Sequence, residues 1–406
     1  MLTLAELLAL SLWFTGTAVL PQLARMWAVP LSALAWVTIA VQLGFVAGAL
    51  VAALLNLADV LSAPKLAALS AAMAAAANAG FALSASRGTA PGVASLPFLF
   101  RFLTGFFLAG VYPPGMKILA GWFQQGRGLG LGILIGGLTI GSALPHLAQA
   151  TGERMFIGLG WQGVVLASSG LATAGAVMIW LGVREGPFAA KQPRFRLSQM
   201  GEALGNRRLR LANFGYLGHM WELYSMWGWI AVILASSAAG GVSVQEIELG
   251  AFATIAIGAI GCVWAGRVSD HLGPAGAGDL AQERLRQRAG VTVVAMAVSG
   301  ACCIAAAAVF EHFYLLLVVA MVWGIAVIAD SAQFSAVVSE VSDASYVGTA
   351  LTTQTAMGFL LTTVSIRATA WMGSHYGWRW AAASMAMGPV FGIAAMMRLR
   401  IEPSGH

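Results

Sequence analysis

REGPFAAKQPRFRLSQMGEALGNRRLR, residues 184–210, is the widest polar interruption in a chain that otherwise consists of apolar runs. On both sides of it, runs of about 20 apolar residues follow one another, and each is long enough to cross a bilayer. Of the 406 residues, 59% are hydrophobic and only 9% are charged, whereas an ordinary soluble domain is about 25% charged. The sequence therefore indicates an integral membrane protein.

The apolar runs predict twelve membrane-spanning helices, six before and six after the polar segment. We expect an all-α fold in which residues 1–183 and 209–406 each form a six-helix bundle and residues 184–208 form a linker. The predicted spans are residues 2–24, 31–56, 63–85, 93–123, 128–150, 159–183, 209–238, 245–267, 287–308, 312–339, 346–372 and 377–398.

The basic residues predict the orientation of these helices. If both termini are cytoplasmic, the loops and the tail on that side collect 15 of the 22 Lys and Arg residues, and the outer loops hold only Arg25, Arg87, Arg154 and Arg379. Such an excess is typical of cytoplasmic loops, so we expect both termini in the cytoplasm and the protein in a bacterial inner membrane. The net charge of +6 is spread over these loops, which argues against a nucleic-acid-binding face.

Two related loops occur at equivalent points of the two halves. NLADVLSAPK, residues 56–65, follows the second predicted span, and GRVSDHLGP, residues 266–274, follows the eighth. This pairing predicts two pseudo-symmetric halves. Transporters built from such repeats bind their substrate near the bilayer midplane, between the repeats.

At these loops the chain resembles the major facilitator superfamily, whose signature loop reads approximately G-x-L-A-D-R-x-G-R-K-R. Gly266, Asp270 and Gly273 match this pattern in the second copy. The first copy fits at Leu57, Ala58, Asp59 and Lys65, but it has Leu55, Val60 and Ser62 where the family usually has Gly, Arg and Gly. RFLTGFFLAG, residues 101–110, is similar to a second motif of the family.

The resemblance implies transport by alternating access, with Asp59, Asp270, Gly266 and Gly273 gating the cytoplasmic face. It also implies that the first, fourth, seventh and tenth helices line a central cavity. The fifth span lacks the Gly-Pro pair that the drug/proton antiporters of this superfamily carry, which disfavours drug export.

The seventh span contains YLGHMWELYSMW, residues 216–227, in which a histidine and a glutamate lie within an apolar run. In helical projection Tyr216, His219 and Trp227 share one face, and Glu222 lies at its edge. Ionisable groups at membrane depth are costly and usually face a cavity or a partner. We expect Glu222 to exchange the coupling proton and Tyr216 and Trp227 to contact the substrate. His219 would either contact the substrate as well or tune the pKa of Glu222. The alternative is a glutamate that is bound to a neighbouring helix for packing.

The tenth span places Asp330 and Gln333 on one face. This pattern predicts a second proton-coupling carboxylate beside an amide that binds the substrate. The alternative is a buried acid that is held by Ser331 or by Lys117 of the fourth span.

Residues of other spans complete the predicted substrate site. Arg101 and Tyr112 lie in the fourth span and Gln354 lies in the eleventh. For Arg101 a structural or coupling role is the alternative, because it belongs to the family motif. A lone polar residue in a span more often hydrogen-bonds a neighbouring helix than a ligand, so weaker candidates are Trp13, Thr15, Gln42, His146 and Arg367.

These residues predict a proton-coupled secondary transporter that imports a small polar organic solute, an anion or a zwitterion, and that acts as a monomer without a cofactor or metal. Arg101 and Arg367 would supply positive charge, and Glu222 and Asp330 would supply titratable groups. The first alternative is proton-driven efflux of a hydrophobic compound, and a receptor on the same fold is the second. An enzyme is disfavoured because His219-x-x-Glu222 has the wrong order and spacing for H-E-x-x-H zinc chemistry.

Overall fold

The computed structural model describes residues 1–85, 95–123, 127–155, 160–188, 199, 201, 205–238, 241–271, 279–343 and 345–402. Within these ranges all regular structure is helical. A short 3-10 helix, Leu31–Leu34, precedes α4, and the α-helices are α1 (Leu2–Leu10), α2 (Thr15–Ala18), α3 (Leu20–Trp27), α4 (Trp36–Leu54), α5 (Leu57–Val60), α6 (Ala63–Ala85), α7 (Leu96–Leu108), α8 (Tyr112–Ala120), α9 (Arg127–Met155), α10 (Gly160–Gly182), α11 (Arg207–Ser237), α12 (Val244–Ala256), α13 (Gly258–His271), α14 (Asp279–Ala308), α15 (Phe313–Ala329), α16 (Ser331–Val341), α17 (Val347–Tyr376), α18 (Trp378–Ser384) and α19 (Met387–Ile401).

These helices form twelve spans that correspond to the twelve predicted ones. In the described part of the chain, nine segments are long and apolar enough to cross a membrane. The other three are the first span (α1 to α3), the seventh (α11) and the eleventh (α17). At 31 and 30 residues, α11 and α17 are long enough to cross, and they are less apolar because they carry the polar residues of the protein interior. The predicted all-α fold of twelve membrane-spanning helices is therefore confirmed.

Five spans that the sequence predicts as continuous are interrupted, and two of them, the eighth and the twelfth, are broken at Ile257 and at residues 385–386. The first span is interrupted between Leu10 and Thr15, and the fourth between Leu108 and Tyr112. In the fourth span Pro113 and Pro114 follow the break directly, and proline has no N–H to continue a helix. The tenth span is interrupted at the single residue Asp330. Breaks therefore occur in both the fourth and the tenth spans, which are equivalent in the two halves.

The two halves meet along two pairs of spans. In one pair α9 packs along α12 and α13, and in the other α4 packs against α17. Near the start of α9 the contact is between backbones, because a Cβ atom added to Gly266 would lie 2.5 Å from the carbonyl oxygen of Gly128. A Cβ atom on Gly132 would likewise lie 2.5 Å from the carbonyl oxygen of Cys262. Glycine at these positions lets α9 and α13 approach closely.

We call the face at which α1 begins and α19 ends the terminal face, and the other the opposite face. Near the opposite face two polar contacts link the halves. His146 of α9 lies with its Nδ1 2.7 Å from Oε2 of Glu248 in α12, and both side chains are buried. Arg367 of α17 donates to the carbonyl oxygen of Ser32 at 3.2 Å. The opposite face is therefore tied together in this conformation.

A candidate transport site between the two halves

Aromatic rings from both halves meet in the middle of the spans. Trp13 of the first half lies 5.9 Å from Tyr224 of the second half, measured between ring centroids. Phe45 lies 4.5 Å from Phe359, also across the boundary. We call this group the aromatic cluster; its members are Trp13, Phe14, Phe45, Tyr224, Trp227 and Phe359.

Several buried polar atoms around this cluster have no hydrogen-bond partner among the described residues. They are Nε1 of Trp13, Nε1 of Trp227, both amide atoms of Gln42 and Nε2 of Gln354. Gln42 precedes Phe45 by three residues on α4 and therefore shares its face. Buried polar groups in proteins are nearly always hydrogen-bonded, and each exception calls for an explanation. Binding of a polar ligand to these donors and acceptors would explain why they have no partner here.

His219, Asp330 and Ser331 form a polar group at the break of the tenth span. Nδ1 of His219 lies 2.9 Å from Oδ1 of Asp330, and Nε2 of His219 lies 2.8 Å from the hydroxyl of Ser331. His219 and Asp330 are 2% and 1% exposed, and neither carboxyl oxygen of Asp330 makes a hydrogen bond to a described residue. The structure thus brings together two residues that the sequence predicts in separate roles. Ser331 contacts the histidine, whereas the sequence suggests it as a partner of the acid.

Glu222 faces away from His219 and toward the ninth and tenth spans. Its Oε1 accepts hydrogen bonds from Nε1 of Trp323 at 2.7 Å and from Sγ of Cys303 at 3.1 Å, and its Oε2 accepts from the hydroxyl of Ser299 at 2.8 Å. All three donors belong to the second half. Glu222 still interacts electrostatically with Asp330. Its predicted role in proton exchange is not tested by this geometry and stays a prediction.

Gln333 lies one turn beyond Asp330 and is bound within the second half. Its Oε1 accepts from Nη1 of Arg288 at 2.7 Å, and its Nε2 donates to the carbonyl oxygen of Ala265 at 3.3 Å. Arg288 also donates to Glu340 at 2.9 Å. Gln333 therefore links α16 to α13 and α14, and a substrate would have to compete with these bonds.

Arg101 is fully buried inside the first half, where it contacts the break of the first span. Its Nη2 donates to the carbonyl oxygen of Trp13 at 2.7 Å, and its Nη1 donates to that of Leu12 at 3.2 Å. Further bonds run to Thr15, Asn78 and Val37. Carbonyl groups that a break frees must find partners inside a membrane, and the guanidinium supplies five N–H donors in a fixed geometry. These contacts favour the structural alternative for Arg101, and its contact with substrate stays a prediction.

The two predicted tyrosines lie on the terminal-face side of the aromatic cluster. The ring of Tyr216 stacks on that of His219 at 6.1 Å. Tyr216 also packs against α17, where a Cβ atom on Gly358 would lie 2.3 Å from its ring. Gln354 precedes Gly358 by four residues and so lies on the same face of α17. Tyr112 of the first half is near enough to Tyr216 for an electrostatic interaction, so both halves contribute to this region.

Of the four predicted gating residues, the structure describes the surroundings of Gly266. Gly266 lies against the backbone of α9, as described above. The side chains of Asp59 and Asp270, and the whole of Gly273, lie outside the described residues. Gating by these residues stays a prediction.

Two buried acidic residues that lie in predicted spans were not included in the site predicted from the sequence. Glu6 lies in α1 and is 0% exposed, and Glu248 lies in α12 and is 3% exposed. The rule that marks Glu222 and Asp330, an ionisable group within an apolar run, also marks these two. The signal was therefore present in the sequence.

Comparisons with known proteins identify the fold. The chain is similar to two crystal structures of a bacterial homologue of the human lysosomal transporter Spinster, one inward-facing and occupied, the other inward-facing and unoccupied. Sequence identity is 16% in each case, with TM-scores of 0.65 and 0.68, and the alignments cover 98% of this chain and 95% of each structure. Among curated proteins no match was found. At this identity the likeness shows the fold alone.

A family match covers both related loops and the fourth-span motif. The sequence profile of the Major Facilitator Superfamily matches residues 2–281, which is more than half of the chain. The match includes Arg101, the seventh span and Gly266. The chain therefore belongs to the major facilitator superfamily of membrane transporters.

Proposed function

We propose that the chain is a proton-coupled secondary transporter of a bacterial inner membrane, with cytoplasmic termini, that takes up a small polar organic solute by alternating access. The observation that carries the proposal is the set of buried polar atoms without partners on Trp13, Gln42, Trp227 and Gln354. Each unpaired buried polar atom costs about 1–3 kcal/mol. A solute with hydrogen-bonding groups would recover this free energy, whereas a purely apolar one would not.

Proton coupling is supported by the pair of His219 and Asp330. Asp330 is the residue at which the tenth span breaks, so a change in its charge acts on the junction between α15 and α16. Glu222 is a second candidate, but its carboxylate is already satisfied by three donors. If Glu222 were protonated, one of its oxygens would carry the proton and could no longer accept a hydrogen bond from its donor as well. We therefore favour Asp330 with His219 over Glu222.

The charge of the solute is less constrained by these contacts. Arg101 is enclosed within the first half, and Arg367 is bound to Ser32 near the opposite face. Arg101 reaches the aromatic cluster at the backbone carbonyl oxygen of Trp13, where its guanidinium is already bound, and the bond of Arg367 leads to Ser32. Recognition of an anion or a zwitterion would therefore depend on His219 and on neutral donors. The preference for these solutes stays a prediction from the sequence.

The substrate can be sought by thermal-shift screening of the purified protein against carboxylates, amino acids and inorganic anions, because a ligand that binds only the folded state raises its melting temperature. Trp227→Phe then removes the free N–H but keeps the ring. A lost hydrogen bond of about 1 kcal/mol corresponds to an affinity about fivefold lower. Trp229→Phe is the matched control, since Trp229 uses its Nε1 to bind the carbonyl oxygen of Ile366. Equal affinity of wild type and Trp227→Phe would contradict the proposed site.

Coupling can be tested in proteoliposomes once a solute is found. Asp330→Asn should abolish accumulation driven by a pH gradient and leave solute exchange largely intact, since exchange needs no net movement of protons. Glu222→Gln tests the competing assignment by the same two measurements. Loss of accumulation only in Glu222→Gln would move the coupling site to the glutamate. Full accumulation in both variants would refute proton coupling at either acid.

Proton-driven efflux of a hydrophobic compound is the second candidate function. The aromatic cluster favours it, because six rings from both halves offer a large apolar contact area. The same Trp227→Phe variant separates the two functions, since it preserves the apolar surface and removes only the donor. Unchanged resistance to toxic apolar compounds in a deletion strain would count against efflux.

A further inference from the structure

Glu6 occupies an unusual position between α1 and α8. Its side chain is 0% exposed, and neither carboxyl oxygen has a hydrogen-bond partner among the described residues. A Cβ atom built on Gly115 of α8 would lie only 1.4 Å from Oε1 of Glu6. The carboxyl group therefore fills the space that a side chain at position 115 would otherwise take.

The beginning of α8 provides no donor for this carboxyl group. Pro113 and Pro114 have no N–H, and the N–H of Gly115 is used by the carbonyl oxygen of Val111 at 3.0 Å. An ionised carboxylate that is buried without donors or a counter-ion is strongly disfavoured. The neutral, protonated acid is the form that fits these surroundings.

The titratable groups described on the helices packed against α1 give Glu6 no hydrogen bond. These helices are α8, α9 and α10, and α10 contains no titratable residue. Tyr112 of α8 interacts electrostatically with Glu6, but as a neutral phenol it brings no compensating positive charge. His146 of α9 is bound to Glu248. The remaining titratable residues of α8 and α9 are Lys117, Arg127, Glu153 and Arg154, and none of those whose side chains are described gives Glu6 a hydrogen bond.

We infer that Glu6 is a proton-binding site in the first half of the transporter, loaded in this conformation and sealed by α8. Its role as a coupling site rests on the proposed function, whereas its protonation does not. The site admits no larger ligand, because the carboxyl group is in contact with Gly115 and is closed to solvent. α8 begins directly after the break of the fourth span. Movement of α8 would uncover Glu6 and let it release the proton to water.

Infrared spectroscopy of the purified protein tests the protonation without a substrate. A protonated carboxyl group gives a carbonyl band that an ionised one lacks. We expect this band at neutral pH in the wild type and a weaker one in Glu6→Gln. Glu246→Gln is the matched control, because Glu246 is exposed and accepts hydrogen bonds from Ser243 as part of a helix cap. An unchanged band in Glu6→Gln would overturn the inference.

Counting released protons tests whether Glu6 holds a proton, and a second variant tests whether α8 closes the site. After a jump to alkaline pH, a pH-indicator dye should report about one proton fewer released per molecule of Glu6→Gln than of wild type, since one titratable group is missing. Gly115→Ala should displace the carboxyl group into water and weaken the neutral-pH band. If Gly115→Ala alone is unstable, combining it with Glu6→Ala should relieve the steric overlap and restore folding. An undiminished band in a folded Gly115→Ala protein would refute the seal. Absence of pH-driven uptake in the wild type would refute the proposed function and leave the infrared result standing.

Discussion

The contact between His146 and Glu248 predicts how the opposite face opens. In the described conformation Nδ1 of His146 lies 2.7 Å from Oε2 of Glu248, and Nε2 of His146 has no partner among the described residues. Glu248→Leu would leave both ring nitrogens of a buried histidine without a partner. Alternating access requires this face to open, and in the open state the imidazole would be hydrated. The substitution therefore penalises the closed state alone.

The size of the effect follows from the interaction that is lost. A hydrogen bond to a charged group contributes about 1.5–3 kcal/mol. Since 1.4 kcal/mol is a factor of ten in an equilibrium constant, the ratio of open to closed molecules should rise about 10- to 150-fold. His146→Leu combined with Glu248→Leu should act in the opposite direction. Two leucines lose no hydrogen bond and are buried only when the face is closed.

Spin labels at Met26 and Tyr376 can report this equilibrium, because both positions are exposed and lie at the ends of α3 and α17 on the opposite face. Pulsed electron paramagnetic resonance gives the distribution of distances between the labels. We expect a longer population in Glu248→Leu and a loss of it in the double variant. If both variants shift the distances in the same direction, or neither does, the pair does not control the closure of this face.

Two further predictions concern the fourth span and the contact between α9 and α13. Arg101→Met should lower the free energy of unfolding by about 1–3 kcal/mol, measured as a lower melting temperature, because the carbonyl oxygen of Trp13 loses its donor. Arg367→Met is the control, since Arg367 is exposed and bonds to Ser32; equal effects of the two substitutions would contradict the structural role of Arg101. Gly266→Val should separate the halves at the terminal face and lengthen the distance between labels at Leu55 and Ser339, since the new side chain meets the backbone of α9. Gly290→Val, with nothing within 4 Å of the added Cβ atom, should leave that distance unchanged.

Apolar run length was sufficient to predict the spans but not their breaks. The third span was predicted at residues 63–85 and is α6, Ala63–Ala85, because lipid requires an unbroken apolar surface there. The break in the fourth span had a signal in Pro113 and Pro114. The break at Asp330 had none, since aspartate is only a moderately poor helix former. It depends on contacts with other helices, and a single sequence does not show them.

The candidate site could be predicted as a set of residues but not as a set of contacts. Helical projection places His219 and Glu222 close together on α11, and yet His219 contacts Asp330 while Glu222 contacts α14 and α15. Projection gives the angle between two side chains but not the neighbour that each one meets. Arg101 shows the same limit, because its acceptors are carbonyl groups that a break in the first span sets free. Backbone acceptors leave no mark in the sequence.

The two proton sites that we propose have a common design. Glu6 is covered by α8, which begins after the break of the fourth span, and Asp330 precedes α16 at the break of the tenth span. Our proposal is that, in each half, the segment that follows the break determines whether the acid meets water or protein. Glu222 has no such arrangement, since its three donors lie within continuous parts of α14 and α15. A rocking motion of the two halves can thus load and unload Glu6 and Asp330 while Glu222 keeps its partners. For this reason the variants Glu6→Gln and Asp330→Asn should resemble one another in their loss of coupling, and Glu222→Gln should differ from both.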